Sequence, residues 1–136
     1  MTITEFDPSH ELIVVASKVW GCGRSIELQL AVDTGSAATV LQPYVVDNLG
    51  YSARDGIATR WVASAIGREQ GYTLKIAQIA ALGFSFCDFE VHVFDLAAGH
   101  GIDGLIGLSL LASLDYTIRS KVGQLLCRPA IDDKSR

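Results

Sequence analysis

The 136 residues, 49% hydrophobic and 19% charged, match the length of one domain and supply enough apolar side chain for a real core, which excludes general disorder. A net charge of -4, from 11 Lys+Arg against 15 Asp+Glu, with basic residues such as Lys121, Arg128 and Lys134 forming no stripe, excludes nucleic acid as an expected partner. Three cysteines without a CxxC pair, Cys22, Cys87 and Cys127, exclude a readable disulfide framework or zinc site and suit a reducing compartment.

Along the chain, glycine recurs at short intervals, the rhythm of a β-rich fold. The apolar run 12–16 is too short for a signal-peptide core, and no run approaches a membrane-spanning length, so the expectation is a cytoplasmic protein with no membrane partner. Residues 12–18 predict a strand, Gly21-Cys22-Gly23 a turn, and 25–32 a second strand with Ile26, Leu28, Leu30 and Val32 on one face. This hairpin delivers the chain into Asp33. Residues 37–41 are again β-tending. Pro43 opens a short helix with Val45, Val46 and Leu49 on one side and Gly50 as its C-cap.

Residues 59–65 and 69–81 flank Ile66-Gly67 and predict a long hairpin. Leu82-Gly83 turns the chain into a strand over 84–94, in which Phe84, Phe86, Val91 and Val93 alternate only in part. Residues 97–101 read as a flexible loop, Gly104-Leu105-Ile106-Gly107 as a buried run, and 108–114 as a short helix. Residues 116–119 and 124–128 pair across Lys121-Val122-Gly123, and 132–136 fray.

Asp33-Thr34-Gly35-Ser36 occurs once, directly after an apolar alternating strand. Hydrolysis of an amide near neutral pH needs a base to deprotonate water and an acid for the departing nitrogen, and two carboxylates sharing one proton supply both. A chain with one such motif must pair with a copy of itself to assemble that dyad, residue 33 against residue 33. Gly35 lets the turn bend and its N–H approach a carboxylate. Thr34 offers a hydroxyl to its own copy across a two-fold axis. Ser36 offers a proton to the outer carboxylate oxygen.

Other chemistries fit less well. Ser109 follows Gly107-Leu108 but lacks the second glycine of a Gly-x-Ser-x-Gly elbow. His10-Glu11 lacks the second histidine of a zinc-protease helix. His92 and His100 are isolated, and Cys87 between Phe86 and Asp88 reads as packed.

The run from Leu28 through Asp33-Thr34-Gly35-Ser36 to Leu41 resembles the active-site segment of retropepsin-like aspartic proteases. Asp103-Gly104-Leu105-Ile106-Gly107-Leu108-Ser109-Leu110-Leu111 is similar to that family's apolar-apolar-Gly segment leading into its helix. The two markers stand in the family's order, with a hairpin between them where the family carries its flap, and the resemblance spans roughly residues 12–128. It implies a mainly β, closed barrel-like acid-protease lobe with one or two short helices, in one domain over 1–136. It implies a homodimeric endopeptidase with Asp33 catalytic and a peptide or protein as substrate. Thr34, Gly35, Ser36, Leu105, Ile106 and Gly107 would support the active-site loop. Trp61, Ala65, Ile66 and Gly67 would close over the substrate, joined by Tyr72. No metal or organic cofactor is implied. The other reading of the same fold is a module that binds peptides or dimerises without cutting.

Two features depart from the retroviral pattern. The flap tip offers only Ala65-Ile66-Gly67, where retroviral flaps are glycine-rich. The tail from Arg128 through Pro129 gives no sign of the terminal strand that interleaves in retroviral dimers, since Pro129 cannot donate to a ladder.

Overall fold

The computed structural model describes residues 1–64, 67–96 and 101–131. Its strands in chain order are β1 (Thr2–Glu5), β2 (Val14–Gly21), β3 (Arg24–Val32), β4 (Val40–Leu41), β5 (Ala58–Ser64), β6 (Gly67–Ala81), β7 (Phe84–Val93), β8 (Gly104–Ile106), β9 (Leu114–Arg119) and β10 (Gln124–Pro129). Two helices, α1 (Pro43–Leu49) and α2 (Leu108–Leu111), and a 3₁₀ turn at Ala53–Asp55 complete it.

The alternating run before Asp33 works as its pattern predicts. β3 pairs antiparallel with β2 across the Cys22-Gly23 turn, where both residues hold positive φ. Leu28 and Leu30 turn into the core while Glu27 and Gln29 stay exposed. Beyond β3 the order is β8, β4, β7 and β6, and a second β2–β6 pairing at Lys18–Trp20 closes six strands into a barrel. β3–β8 and β4–β7 are parallel pairs, and the rest are antiparallel. Val15, Val19, Leu30, Leu41, Leu74, Ile76, Ile79, Val91 and Ile106 fill the barrel at 0–1% exposure.

The partial alternation in β7 has a visible cause. Asp88 takes a φ of 50°, and its phase shifts there, so that Phe84 and Phe86 before it and Phe89, Val91 and Val93 after it pack toward the core. β6 shifts in step, from Leu74 and Ile76 to Ile79 and Ala81.

Pro43 starts α1 and Gly50 ends it in the left-handed region at φ 96°, with its N–H on the Asp47 and Val46 carbonyls. Val45, Val46 and Leu49 seal that side of the barrel. β5 adds to β6 outside the ring in the expected hairpin, with register from Ala58↔Thr73 to Ser64↔Gly67.

Three sequence expectations are corrected. The helix expected over 108–114 stops at Leu111, because Leu114 must enter β9 opposite Pro129 to bury its side chain at 6% exposure. The β-tending run 37–41 yields a strand only at Val40–Leu41, the residues before it forming loop around the Asp33 turn. The N-terminal residues form a strand that local pattern did not reveal: β1 pairs with β10 of the same chain, Thr2↔Cys127 to Glu5↔Gln124, giving a separate sheet in the order β1-β10-β9. Pro129 sits at the end of β10, where a missing donor costs least. The loop expected over 97–101, apart from Gly101, and the tail 132–136 lie outside the described residues.

Candidate active site

Asp33 leaves the barrel at the end of β3 but remains tied to it. Its N–H donates to the Ile106 carbonyl at 2.9 Å, extending the β3–β8 pairing by one step. The chain then turns back, and the Ser36 N–H reaches the Asp33 carbonyl at 3.2 Å. Inside that turn the Gly35 N–H donates to Asp33 Oδ1 at 2.9 Å. A Cβ on Gly35 would stand 3.2 Å from that same oxygen, a crowded approach. Asp33 is half-buried, and Thr34 and Gly35 beside it are exposed. Among the described residues, Oδ2 of Asp33 takes no hydrogen bond. A carboxylate held by one oxygen, with the other open at the rim, can accept a proton from water.

The support behind this turn comes from the second marker. Leu105 is half-buried, while Ile106 and Gly107 are buried. A Cβ on Gly107 would lie 2.0 Å from the Ala38 carbonyl oxygen and 2.7 Å from that of Ser36, so only glycine lets the two segments touch. Directly after it, Leu108 N–H donates to Ser36 O at 2.8 Å and Ser109 N–H to Ala37 O at 3.0 Å. The first turn of α2 thus spends its unpaired donors on the exit from the Asp33 turn.

Sequence reasoning missed the side chains that lock this joint. Thr39, 1% exposed, accepts the Gly107 N–H on Oγ1 at 3.2 Å. Its own N–H donates to Ser109 Oγ at 3.1 Å, and the two hydroxyls stand 2.9 Å apart. Ser109 is therefore a structural hydroxyl in a three-bond network. Ser36 also differs from expectation, because its hydroxyl donates to the Ala38 carbonyl at 2.8 Å and not to a carboxylate. It braces the loop from within.

A second carboxylate was overlooked although it opens the second marker. Asp103 Oδ2 accepts the Gln29 N–H at 2.7 Å, and Oδ1 accepts the Tyr44 hydroxyl in a short hydrogen bond. Its backbone bonds Gln29 and Gln42 at 2.8 and 3.0 Å. Although Tyr44 is 47% exposed, its pKa is pushed up to about 12, first by loss of water around the hydroxyl and then by the bond to, and charge of, Asp103. Only Asp103 itself is legible in the second marker. Its partner Tyr44 lies 59 residues away, beyond any local signal.

Of the expected substrate-covering residues, Trp61 lies in β5, Gly67 begins β6, and Tyr72 stands in β6 opposite Thr59, half-buried. Ala65 and Ile66 lie outside the described residues.

The architecture has a solved counterpart. A retropepsin-like aspartic protease from Rickettsia conorii superposes with a TM-score of 0.66 over 94% of this chain and 90% of that one, at 19% identity, a likeness of fold. No curated protein matches the sequence. The model of the aspartyl protease family matches residues 18–110, from β2 through the Asp33 turn and β8 to α2. That match takes in the first marker and the second as far as Leu110, and the chain belongs to the aspartyl protease family, with the fold of a retropepsin-like lobe.

Proposed function

We propose that this chain is an endopeptidase that acts as a homodimer, with the Asp33 carboxylates of two copies activating one water against a peptide bond. The observation that carries this reading is the state of Asp33: fixed through its backbone and Oδ1, open at Oδ2, at a rim where Thr34 and Gly35 are exposed. A rim of this kind can meet its own copy across a two-fold axis. Two carboxylates brought that close do not both ionise, as in aspartic-protease dyads generally, so one takes the proton of water while the other protonates the leaving nitrogen. Thr34 would bond across the axis, and the β5–β6 hairpin would cover the substrate. The three free thiols fit a reducing setting, and the cytoplasm is the compartment proposed.

The test is a cleavage assay with a diverse peptide mixture at mildly acidic pH, read by mass spectrometry, on wild type and Asp33→Asn, with sedimentation of both. Cuts made by a dimeric wild type and absent from a folded dimeric variant support the reading. Equal cutting by the two proteins would sink it, as would a folded dimer that cuts nothing in the mixture or its natural partners.

A further inference from the structure

Away from Asp33, two strand edges face one another across a hollow. β2 meets β6 only at Lys18–Trp20, because β6 ends at Ala81 and turns off through Leu82-Gly83. Val14–Ser17 therefore has β3 on one side and, among the described residues, no strand on the other. β1 passes beyond that turn, with Thr2 Oγ1 on the Leu82 carbonyl at 2.6 Å, and among the described residues it too is paired on one side only, by β10. Between them lie two hollows of about 510 and 450 Å³ that share Ala16 and Gln29 and so form one trough. Ala16 lies exposed on its floor, while the next residue, Ser17, turns its side chain inward with Val15 and Val19.

The charges along this trough are uneven. Glu5, Asp7 and Glu27 supply three carboxylates, and Asp7 is kept ionised by hydrogen bonds from the Ser9 hydroxyl and N–H. The single ammonium, Lys18, is turned over the Trp20 ring at 5.2 Å from its centroid.

We infer that the trough docks an extended, basic polypeptide segment, which adds as a strand between β1 and β2 at a place separate from Asp33. Unpaired backbone groups on a strand edge are a template for such addition. The four residues Val14–Ser17 offer about 13 Å of ladder at the usual strand rise. The small, exposed Ala16 leaves room for the incoming side chains. Alternate lysine or arginine residues meet the carboxylates.

The test uses full-length Asp33→Asn protein, so that no probe is cut, and fluorescence anisotropy with three labelled peptides. One alternates lysine with threonine, one glutamate with threonine, and one lysine with proline. The lysine–threonine peptide is expected to bind saturably and to weaken as salt rises. The other two, wrong in charge or lacking strand donors, should bind at least about tenfold more weakly, a difference of roughly 1.4 kcal/mol. Ala16→Arg fills the trough and lowers its net negative charge from an exposed position, and should cost about tenfold or more with an unchanged circular dichroism spectrum. Gln29→Arg, also exposed, repeats the test should Ala16→Arg misfold.

Binding that survives both substitutions, equal binding of the glutamate peptide, or no saturable binding would overturn the inference. So would loss of self-association in Ala16→Arg without peptide binding, which would mark the trough as a contact between copies. Cleavage by wild type is scored separately, so a failure of the protease reading leaves this result intact.

Discussion

Asp33 and Asp103 stand at opposite ends of one parallel strand pair, β3 with β8, and are used in opposite ways. At the Asp103 end both carboxylate oxygens are taken, one by the Gln29 N–H and one by the Tyr44 hydroxyl. At the Asp33 end one oxygen accepts the Gly35 N–H and the other, among the described residues, takes no hydrogen bond. A carboxylate whose acceptors are filled belongs to the scaffold. One that is rigidly held with an oxygen left without a protein partner is available for chemistry. The same ladder that Asp103 clamps carries Ile106 to the backbone of Asp33, so through three residue pairs the structural acid fixes the position of the acid proposed to react.

The largest expected effect separates the two acids. Asp33→Asn should lower peptidase activity by roughly a thousandfold or more, the scale of losing an acid–base group, while its urea midpoint stays near wild type. Asp103→Ala should do the reverse in kind, costing about 2 kcal/mol by orphaning two donors, with activity per folded molecule largely kept. Asp103→Asn, which still offers one acceptor oxygen, should recover part of that loss. If Asp103→Ala lowered activity as far as Asp33→Asn without touching stability, the division of labour between the two ends would be wrong.

Gly107→Ala comes next, because it attacks the Asp33 end through packing alone. The added methyl would meet the Ala38 carbonyl oxygen at 2.0 Å, and forcing the segments apart should cost about 3 kcal/mol. Activity should fall with the folded fraction and further, since the Ser36 and Ala37 carbonyls would lose their donors on α2. Denaturant unfolding beside a cleavage rate checks this. An alanine variant as stable as wild type would mean that the loop does not rest on Gly107.

How far the two ends were readable from sequence follows from how local their partners are. Asp33 announces itself through contiguous residues, because the strand before it, the glycine two places on and the turn between are all within one short run. The hairpins, α1 with its proline and glycine boundaries, and the buried Gly104–Ile106 segment are likewise local patterns. Long-range pairings were not legible. β1 is four residues long and exists only because β10, more than 120 positions later, offers it an edge. The phase shift at Asp88 needs a positive φ that sequence alternation only hints at. Thr39 and Ser109 are ordinary hydroxyl residues in the chain, and only their approach across 70 positions makes them a lock.

That lock gives a smaller prediction. Thr39→Val keeps the buried shape but removes the hydroxyl that accepts Gly107 N–H and faces Ser109. A loss of about 1–2 kcal/mol is expected from the orphaned donor. Since the lock sits behind Asp33, kcat should fall by more than the folded fraction does while KM changes little. Thr39→Ser, with the hydroxyl restored, should regain kcat. Equal kcat in the valine and serine variants would show that the joint holds without this hydroxyl.

The smallest effect belongs to Tyr44→Phe at the Asp103 end, and its signature is its dependence on pH. The phenol is raised from 10.0 to about 12 in the folded protein, which means that the folded state favours the protonated form. The stability from this bond is therefore fully present below about pH 10 and is lost as pH rises from there toward 12. Near neutrality the variant should be less stable by about 1 kcal/mol, the net worth of one ordinary hydrogen bond, and the gap should close in the alkaline range. Phenolate absorbance gives the check, because subtracting the variant's titration from that of wild type isolates one of the four tyrosines. A difference curve centred near 10 would show that Tyr44 is not held by Asp103. A curve centred near 12 would show that the Tyr44 proton closes the Asp103 end of the ladder.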